Sequence, residues 1–477
     1  MHSIPVILTN RHAQFLCNAA TQAKLREFYS YAVPGAEFSE MVSSGEWDGR
    51  RCMYARGRIA AGLFVGMWKV ARDAGFRFQV KDQRLPVQLS AYAVDPPGIR
   101  PYQQEAVTAM LKASNMGGLV LCATGVGKTF LTGAYLRHVV GYAVFCVDEL
   151  TLLEQARREL EKVLQEKVGV VGRSEFKPAR VTVATVQTLH LHRRDPKFLA
   201  WYNKVEVSVI DEIHVQLNRR NIDVVRIIKP KAVFGLTATL EMHKPNVAME
   251  AMALTGPVVF RYSIQAGVAE GYLTQGRVVR VLFDDPTGKG WTGSPEAEYR
   301  LRITCNQSRN ECITALAREG VKAGHRVIVL ADRIQHLKTL SRMLSDTPHR
   351  LLHGAYSHQE RFAAKEAMDA GTLPLILASR IFSKGIDIRK VDVIVDAAAM
   401  SGHNGVIQKF GRGVRVGDGK TNLLFLDIAD RGNHFEEAAR ARLRALKELG
   451  VAIRDVEWQG EASAVYGAFK ALPGPRG

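Results

Sequence analysis

The chain has 477 residues, 47% of them hydrophobic and 23% charged, which is ordinary globular composition with material for more than one core and excludes disorder as its main state. Lys and Arg number 65 against 47 for Asp and Glu, a net charge of +18 spread along the chain, and such an excess favours a polyanionic partner. No apolar run approaches a membrane span, the start MHSIPVILTNRHAQF lacks a signal peptide's apolar region, and the six scattered cysteines form no C-x-x-C pair, so a reducing cytoplasm is the expected setting.

In chain order, the first punctuation is AVDPPGIRP (93–101), whose adjacent prolines and glycine cannot continue a helix or a central strand. It predicts a separate unit over 1–96. An α/β series follows, with strands at 117–123, 142–147, 181–186, 205–210 and 232–237, and helices at 129–140 and 150–167. A second series has strands at 277–283, 325–331, 373–379, 391–397 and 422–428, and a helix near 301–320. The stretch DDPTGKGWTGSPEAEY reads as an exposed loop, and 456–477 as a tail with a frayed end.

CATGVGKT (122–129) follows an apolar strand and opens a helix, which is the context of a phosphate-binding loop. Gly125 and Gly127 let the chain turn its N–H groups toward phosphates, Lys128 reaches the terminal phosphates, and Thr129 places a hydroxyl on Mg²⁺. The first position is Cys122 where the strict pattern has Gly or Ala, and an incidental glycine-rich turn is the bland alternative. VEVSVIDEIH (205–214) delivers Asp211 and Glu212 at the end of a buried strand, one to hold Mg²⁺ through water and the other to deprotonate an attacking water. His214 taken alone reads better as a hydrogen-bonded core histidine. TAT (237–239) supplies short hydroxyls after another strand. QKFGRGVR (408–415) carries Gln408, Arg412 and Arg415, and the two arginines, three apart, are expected on one helical face where they could neutralise charge on a transferred phosphoryl group. A lone arginine pair would be a solvated face. The alternating histidines of LHLHRRD, and Tyr31 and Trp47, read better as packing groups than as a metal site or base-stacking platform.

The ordered set RPYQ (100–103), CATGVGKT, VATVQTL (183–189), DEIH, TAT, SKGIDI (383–388) and QKFGRGVR resembles the superfamily 2 DExH-box helicases. Within them it is most similar to phage UvsW-like and XPB-like DNA helicases. YAVPGAEFSEMVSSGEWDGR (31–50) resembles the WDG-containing accessory domain that precedes UvsW-type motors.

The resemblance implies an α/β fold of two tandem RecA-like P-loop domains, at 97–272 and 273–455, behind an α+β accessory DNA-binding domain at 1–96. It implies ATP and Mg²⁺ as cofactors, with ATP in a cleft between the motor domains. Arg100, Gln103, Thr124, Gly125, Val126, Gly127, Lys128 and Thr129 would hold the nucleotide, with Gln103 at the adenine edge. Asp211 and Glu212 would be the metal and water-activating pair, and Arg412 and Arg415 the finger arginines. Thr185 and Gln187 match a nucleic-acid backbone motif, Gly385 and Asp387 a nucleotide-sensing motif, and His214, Thr237, Thr239 and Gln408 coupling positions. The partner implied is branched or duplex DNA (forks, Holliday junctions, R-loops, with RNA possible in the last), tracked 3′ to 5′ in recombination, repair or replication, in a bacterial or phage-infected cell. An RNA-acting DExH enzyme and a non-catalytic annealing protein with a vestigial motor are the alternatives.

Overall fold

The computed structural model describes residues 3–91, 93–148, 150–217, 219–238, 240–285, 293–379, 390–400, 402–417, 419–432 and 435–472. The chain forms two compact units. The first takes Met1–Cys122 and Gly127–Tyr262; the second takes Ser263–Gly477 with Ala123–Val126.

The first unit begins with a small α+β module. Its strands β1 (Ile4–Leu8), β2 (His12–Phe15), β3 (Arg58–Ala60) and β4 (Phe78–Asp82) form a sheet in the order β3-β2-β1-β4. Helix α1 (Ala61–Gly66) follows β3 directly. Tyr31 is buried in this module's core, and Trp47 donates its indole N–H to the Arg50 carbonyl at 2.8 Å, so both serve packing and local structure.

The larger sheet of the unit contains β5 (Gly117–Cys122), β6 (Tyr142–Val147), β7 (Gly169–Gly172), β8 (Glu175–Lys177), β9 (Val181–Thr185), β10 (Val205–Ile210), β11 (Ala232–Thr237) and β12 (Val258–Tyr262). Their order is β8-β7-β9-β6-β10-β11-β5-β12, and every pairing except β8–β7 is parallel. Near-continuous runs such as VEVSVI and AVFGLT bury almost every residue, as strands covered on both faces must. Because β5, β9, β10 and β11 run parallel, the segments that follow them all emerge at one edge of the sheet.

The Pro-Pro-Gly segment does not separate the N-terminal module from this sheet, contrary to the expected independent unit at 1–96. Met249 of helix α4 (Pro245–Leu254) belongs to the module's buried core, and Met252 and Ala253 pack against it. Gly62 of α1 lies so close to α4 that a Cβ there would stand 2.3 Å from the Met252 carbonyl oxygen. The Asn10 amide N–H₂ faces three carbonyls, of Leu85 at 2.8 Å, Asn115 at 2.9 Å and Lys231 at 3.0 Å, while its oxygen accepts from the Leu85 N–H. One side chain thus ties the module, the connecting segment and two turns of the larger sheet.

The second unit holds β13 (Gln275–Asp284), β14 (Val327–Leu330), β15 (His349–Leu352), β16 (Leu375–Ala378), β17 (Val393–Asp396), β18 (Asn422–Arg431) and β19 (Ala452–Glu457), ordered β15-β16-β14-β17-β18-β13-β19 and parallel throughout. The unit starts at Ser263 and not at the expected 273, because Ser263 caps the helix Ile264–Ala269. The expected tail at 456–477 is also corrected. Edge strand β19 runs into it, and helix α5 (Ala462–Lys470) buries Val465 and Tyr466 in the core.

Charge is buried here to an extent the sequence pattern did not suggest. Arg309, without exposed surface, binds Asp430 through Nε at 2.6 Å and Nη2 at 3.0 Å, and Arg442, equally buried, binds Asp427 at 2.7 Å. Each also donates to main-chain carbonyls, which is what makes burying such pairs tolerable.

The Asn10 junction yields a test. Asn10→Ala leaves part-buried carbonyls without their donor and should cost about 1–3 kcal/mol, read as a lower first transition in calorimetry. Deleting residues 1–96 should lower that transition further by exposing the Met249 face of α4.

Candidate nucleotide site

The carboxyl edge of the first unit's large sheet gathers the chemistry. Between β5 and helix α6 (Lys128–Arg137), the loop turns at Gly125 and Gly127, whose φ angles of 92° and 78° are left-handed and suit glycine. Gly127 is the residue that caps α6, so the loop's N–H groups and the positive helix end converge. Thr124 Oγ1 is buried and has no hydrogen-bond partner among the described protein atoms. Thr129 is half-buried in the first turn of α6.

Lys128 Nζ donates to Glu212 Oε1 at 2.8 Å. Burial opposes the ammonium's charge, but the carboxylates of Glu212 and Asp211 outweigh it and hold the Lys128 pKa above its ordinary value. Asp211 extends β10 by donating its N–H to the Cys146 carbonyl at 2.9 Å. Burial pushes its carboxyl up to about 6, with Lys128 pulling down and Glu212 pushing up. Glu212 itself sits at φ 46°, a strained conformation for a non-glycine residue that turns its side chain off the strand end. A half-buried acid pair, a lysine and a left-handed loop of N–H donors fit a nucleoside triphosphate with a divalent cation.

Strand β11 lies between β10 and β5, and it packs beside the short helix Ile213–Gln216 that follows the acid pair. His214 Nδ1 lies 2.8 Å from Thr237 Oγ1 and 3.4 Å from Glu212 Oε2. His214 is therefore a bridge between the two motifs, which the sequence alone left open. Thr239 lies outside the described residues, as do Gly385 and Asp387.

Gln103 is buried on helix α2 (Pro101–Lys112), its oxygen accepting the Arg100 N–H at 3.0 Å and its amide nitrogen lying against Gly127. Arg100 reaches the Tyr102 hydroxyl at 3.2 Å, and the Tyr102 ring stacks on Tyr262 with centroids 4.0 Å apart. Tyr102 lies inside RPYQ, but nothing local in the sequence announces that Tyr262, 160 residues on, is its partner. Val126 is buried.

Gln187 is exposed just past β9, donating to the Asp148 carbonyl at 2.8 Å, whereas Thr185 is buried and its hydroxyl bonds Thr188. His192 stacks on Phe198 at 4.5 Å, a packing role.

In the second unit, helix α7 (His403–Gly413) carries Gln408 and Arg412, both half-buried. Arg415 is not on that helix, contrary to the expected shared face. The helix ends at Gly413, and Arg415 forms a β-bridge with Leu273.

Two parallel α/β sheets, a phosphate-binding loop and an acid pair at a strand end define a nucleotide-hydrolysing P-loop motor with tandem RecA-like domains. Residues 97–242 match the family described as type III restriction enzyme, res subunit, and residues 309–417 the helicase conserved C-terminal domain. The chain belongs to the superfamily 2 DExH-box helicases and is similar to their XPB-like and UvsW-like members. It is 25% identical over 397 residues to DNA 3′-5′ helicase XPB of Kineococcus radiotolerans, covering 80% of this chain and 69% of that one. It is 22% identical over 457 residues to ATP-dependent DNA helicase uvsW of Enterobacteria phage T4, covering 88% and 89%. The fold matches that of the type ISP restriction-modification enzyme LlaBIII bound to DNA, with TM-score 0.57 and 14% identity over 86% of this chain and 36% of that one. Among the described residues no helix is long and apolar enough to cross a membrane.

Replacing Lys128 by Ala should weaken binding of a fluorescent ADP analogue at least tenfold, about 1.4 kcal/mol, in equilibrium titration. Unchanged affinity would remove Lys128 from the phosphate site.

Proposed function

We propose that this chain hydrolyses ATP to move along DNA and to separate or migrate strands at forks, four-way junctions and R-loops. The observation that carries the reading is the Lys128–Glu212–Asp211 constellation, joined to Thr237 through His214. Lys128 and the Gly125–Gly127 loop bind the phosphates, and Gln103 borders the adenine. Thr129 and Asp211 would hold Mg²⁺, which supplies charge neutralisation at the phosphates. Glu212 takes the proton of the attacking water. Arg412 and Arg415 bring guanidinium charge to the phosphoryl group in transfer, the task their chemistry suits best. The His214–Thr237 contact transmits the change at Glu212 to β11 and supports a coupling role for Thr237; for Thr239, Gln408, Gly385 and Asp387 the coupling and nucleotide-sensing roles rest on the family motifs alone.

Exposed Gln187, with Thr185 shaping the turn beneath it, contacts the backbone of the tracked strand. The net +18 charge supports a polyanionic track, and the XPB and uvsW relatives favour DNA over RNA. We assign 1–96 to holding the duplex arm, 97–262 and 263–472 to the motor.

A panel of fork, four-way junction, R-loop and linear duplex, each in DNA and with an RNA tracking strand, tests the substrate. ATP-dependent strand separation should be faster on the branched DNAs than on linear duplex. Equal rates, or a preference for the RNA strand, would overturn that part of the reading.

Two substitutions test the chemistry. Glu212→Gln should keep nucleotide binding and lose ATP turnover by roughly 10²-fold or more, the scale of a lost general base. Arg415→Ala should lower turnover by up to about 10³-fold with little change in ATP affinity, since the charge it meets develops in the transition state.

A further inference from the structure

The finger arginine's main chain is held by a residue that no motif assigns. Arg415 lies two residues past the end of α7, where a helix presents carbonyls lacking intrahelical donors. Three groups converge on this point. Lys420, only 8% exposed, donates its ammonium to the Gly413 carbonyl and, at 3.2 Å, to the carbonyl of Arg415. Thr274 donates its N–H to the Val414 carbonyl at 2.7 Å and its hydroxyl to the Arg415 carbonyl at 3.4 Å. Leu273 forms the β-bridge to Arg415. The Arg415 carbonyl therefore takes two donors from separate segments, and a positive charge is buried at the negative end of the helix.

Burying a lysine's ammonium is costly unless its protons are taken, so its use on two main-chain carbonyls marks the place as one whose geometry matters. A guanidinium on a long side chain has many rotamers, and its reach is defined only as well as the Cα from which it starts. Helix α7 is separately fixed to the sheet by Lys409, whose ammonium binds both oxygens of buried Asp396 at 2.7 and 3.0 Å. That pair anchors the body of the helix. The segment after it, which the helix cannot hold, is what Lys420 secures.

We propose that Lys420 is a positioning residue for ATP hydrolysis: it fixes the Gly413–Arg415 main chain so that the Arg415 guanidinium is presented in one place. This rests on the reading of Arg415 as the finger. Lys420 touches no reacting atom, and its effect passes wholly through Arg415.

A double-mutant cycle on the full-length protein tests this, with steady-state ATPase measured at saturating DNA. In the parent, Lys420→Met should lower kcat roughly 10- to 100-fold, the scale of a displaced catalytic group, with KM for ATP changed less than about threefold. On the Arg415→Ala background the same change should lower kcat by no more than about twofold, since nothing remains to be positioned. Losses that multiply in the double mutant, or a rise in KM without loss of kcat, would overturn the proposal. The single Arg415→Ala arm separates the two claims: unchanged kcat there overturns the finger reading itself, whatever Lys420 does. If Lys420→Met does not fold, Thr274→Val removes the other donor to the same carbonyl and carries the same cycle. It should cost several-fold in kcat on the parent and nothing on Arg415→Ala; equal costs on both backgrounds would overturn the proposal.

Discussion

One ammonium between two carboxylates organises the nucleotide site. Lys128 starts a helix, Asp211 and Glu212 end a strand, and 84 residues separate the bonded partners, Lys128 and Glu212. They meet because β5 and β10 are parallel members of one buried sheet with only β11 between them. The apolar strands are therefore what bring these charges together. Without the lysine, burial and mutual repulsion would drive the acid pair toward protonation, as the raised Asp211 pKa already indicates. The ion pair also defines a competition. The same ammonium is needed by the phosphates, so nucleotide binding has to draw Lys128 away from Glu212 and leave that carboxylate able to accept a proton.

The rest of the chain is arranged around keeping such groups in place. In the first unit Asn10 and the α1–α4 contact bind the N-terminal module to the opposite edge of the sheet, at the turns around Asn115 and Lys231 that lead into β5 and β11. The module is thus joined to the frame that carries the phosphate loop. In the second unit, buried Arg–Asp and Lys–Asp pairs fasten three helices to the sheet, and removing one partner of such a pair would leave an uncompensated buried charge.

Much of this was legible in the sequence for a physical reason. The phosphate loop and the acid pair are each contiguous in the chain with the strand that delivers them, so spacing and hydropathy place CATGVGKT and DEIH at strand ends. The strands 142–147, 205–210 and 232–237 match the expected bounds because buried parallel strands are short, apolar and bounded by polar turns. What failed depends on distant partners. A spacing of three suits one helical face for Arg412 and Arg415, yet the helix ends at Gly413 and a bridge to Leu273 holds Arg415 off it. The stretch 456–477 looked like a tail because ALPGPRG ends it, while Val465 and Tyr466 find their burial against β13 and the helix Gln307–Lys322, far away in sequence. The Pro-Pro-Gly segment does break regular structure, but a break in the backbone does not imply a break in packing, as Met249 shows.

The competition for Lys128 can be measured directly. Affinity for a fluorescent ADP analogue, without Mg²⁺, should be compared between the parent and Glu212→Gln. Removing the carboxylate's charge frees the ammonium, and the variant should bind roughly threefold to tenfold more tightly, up to about 1.4 kcal/mol. Equal or weaker binding would mean that Lys128 does not have to leave Glu212 to hold phosphate, and would contradict the account of the site.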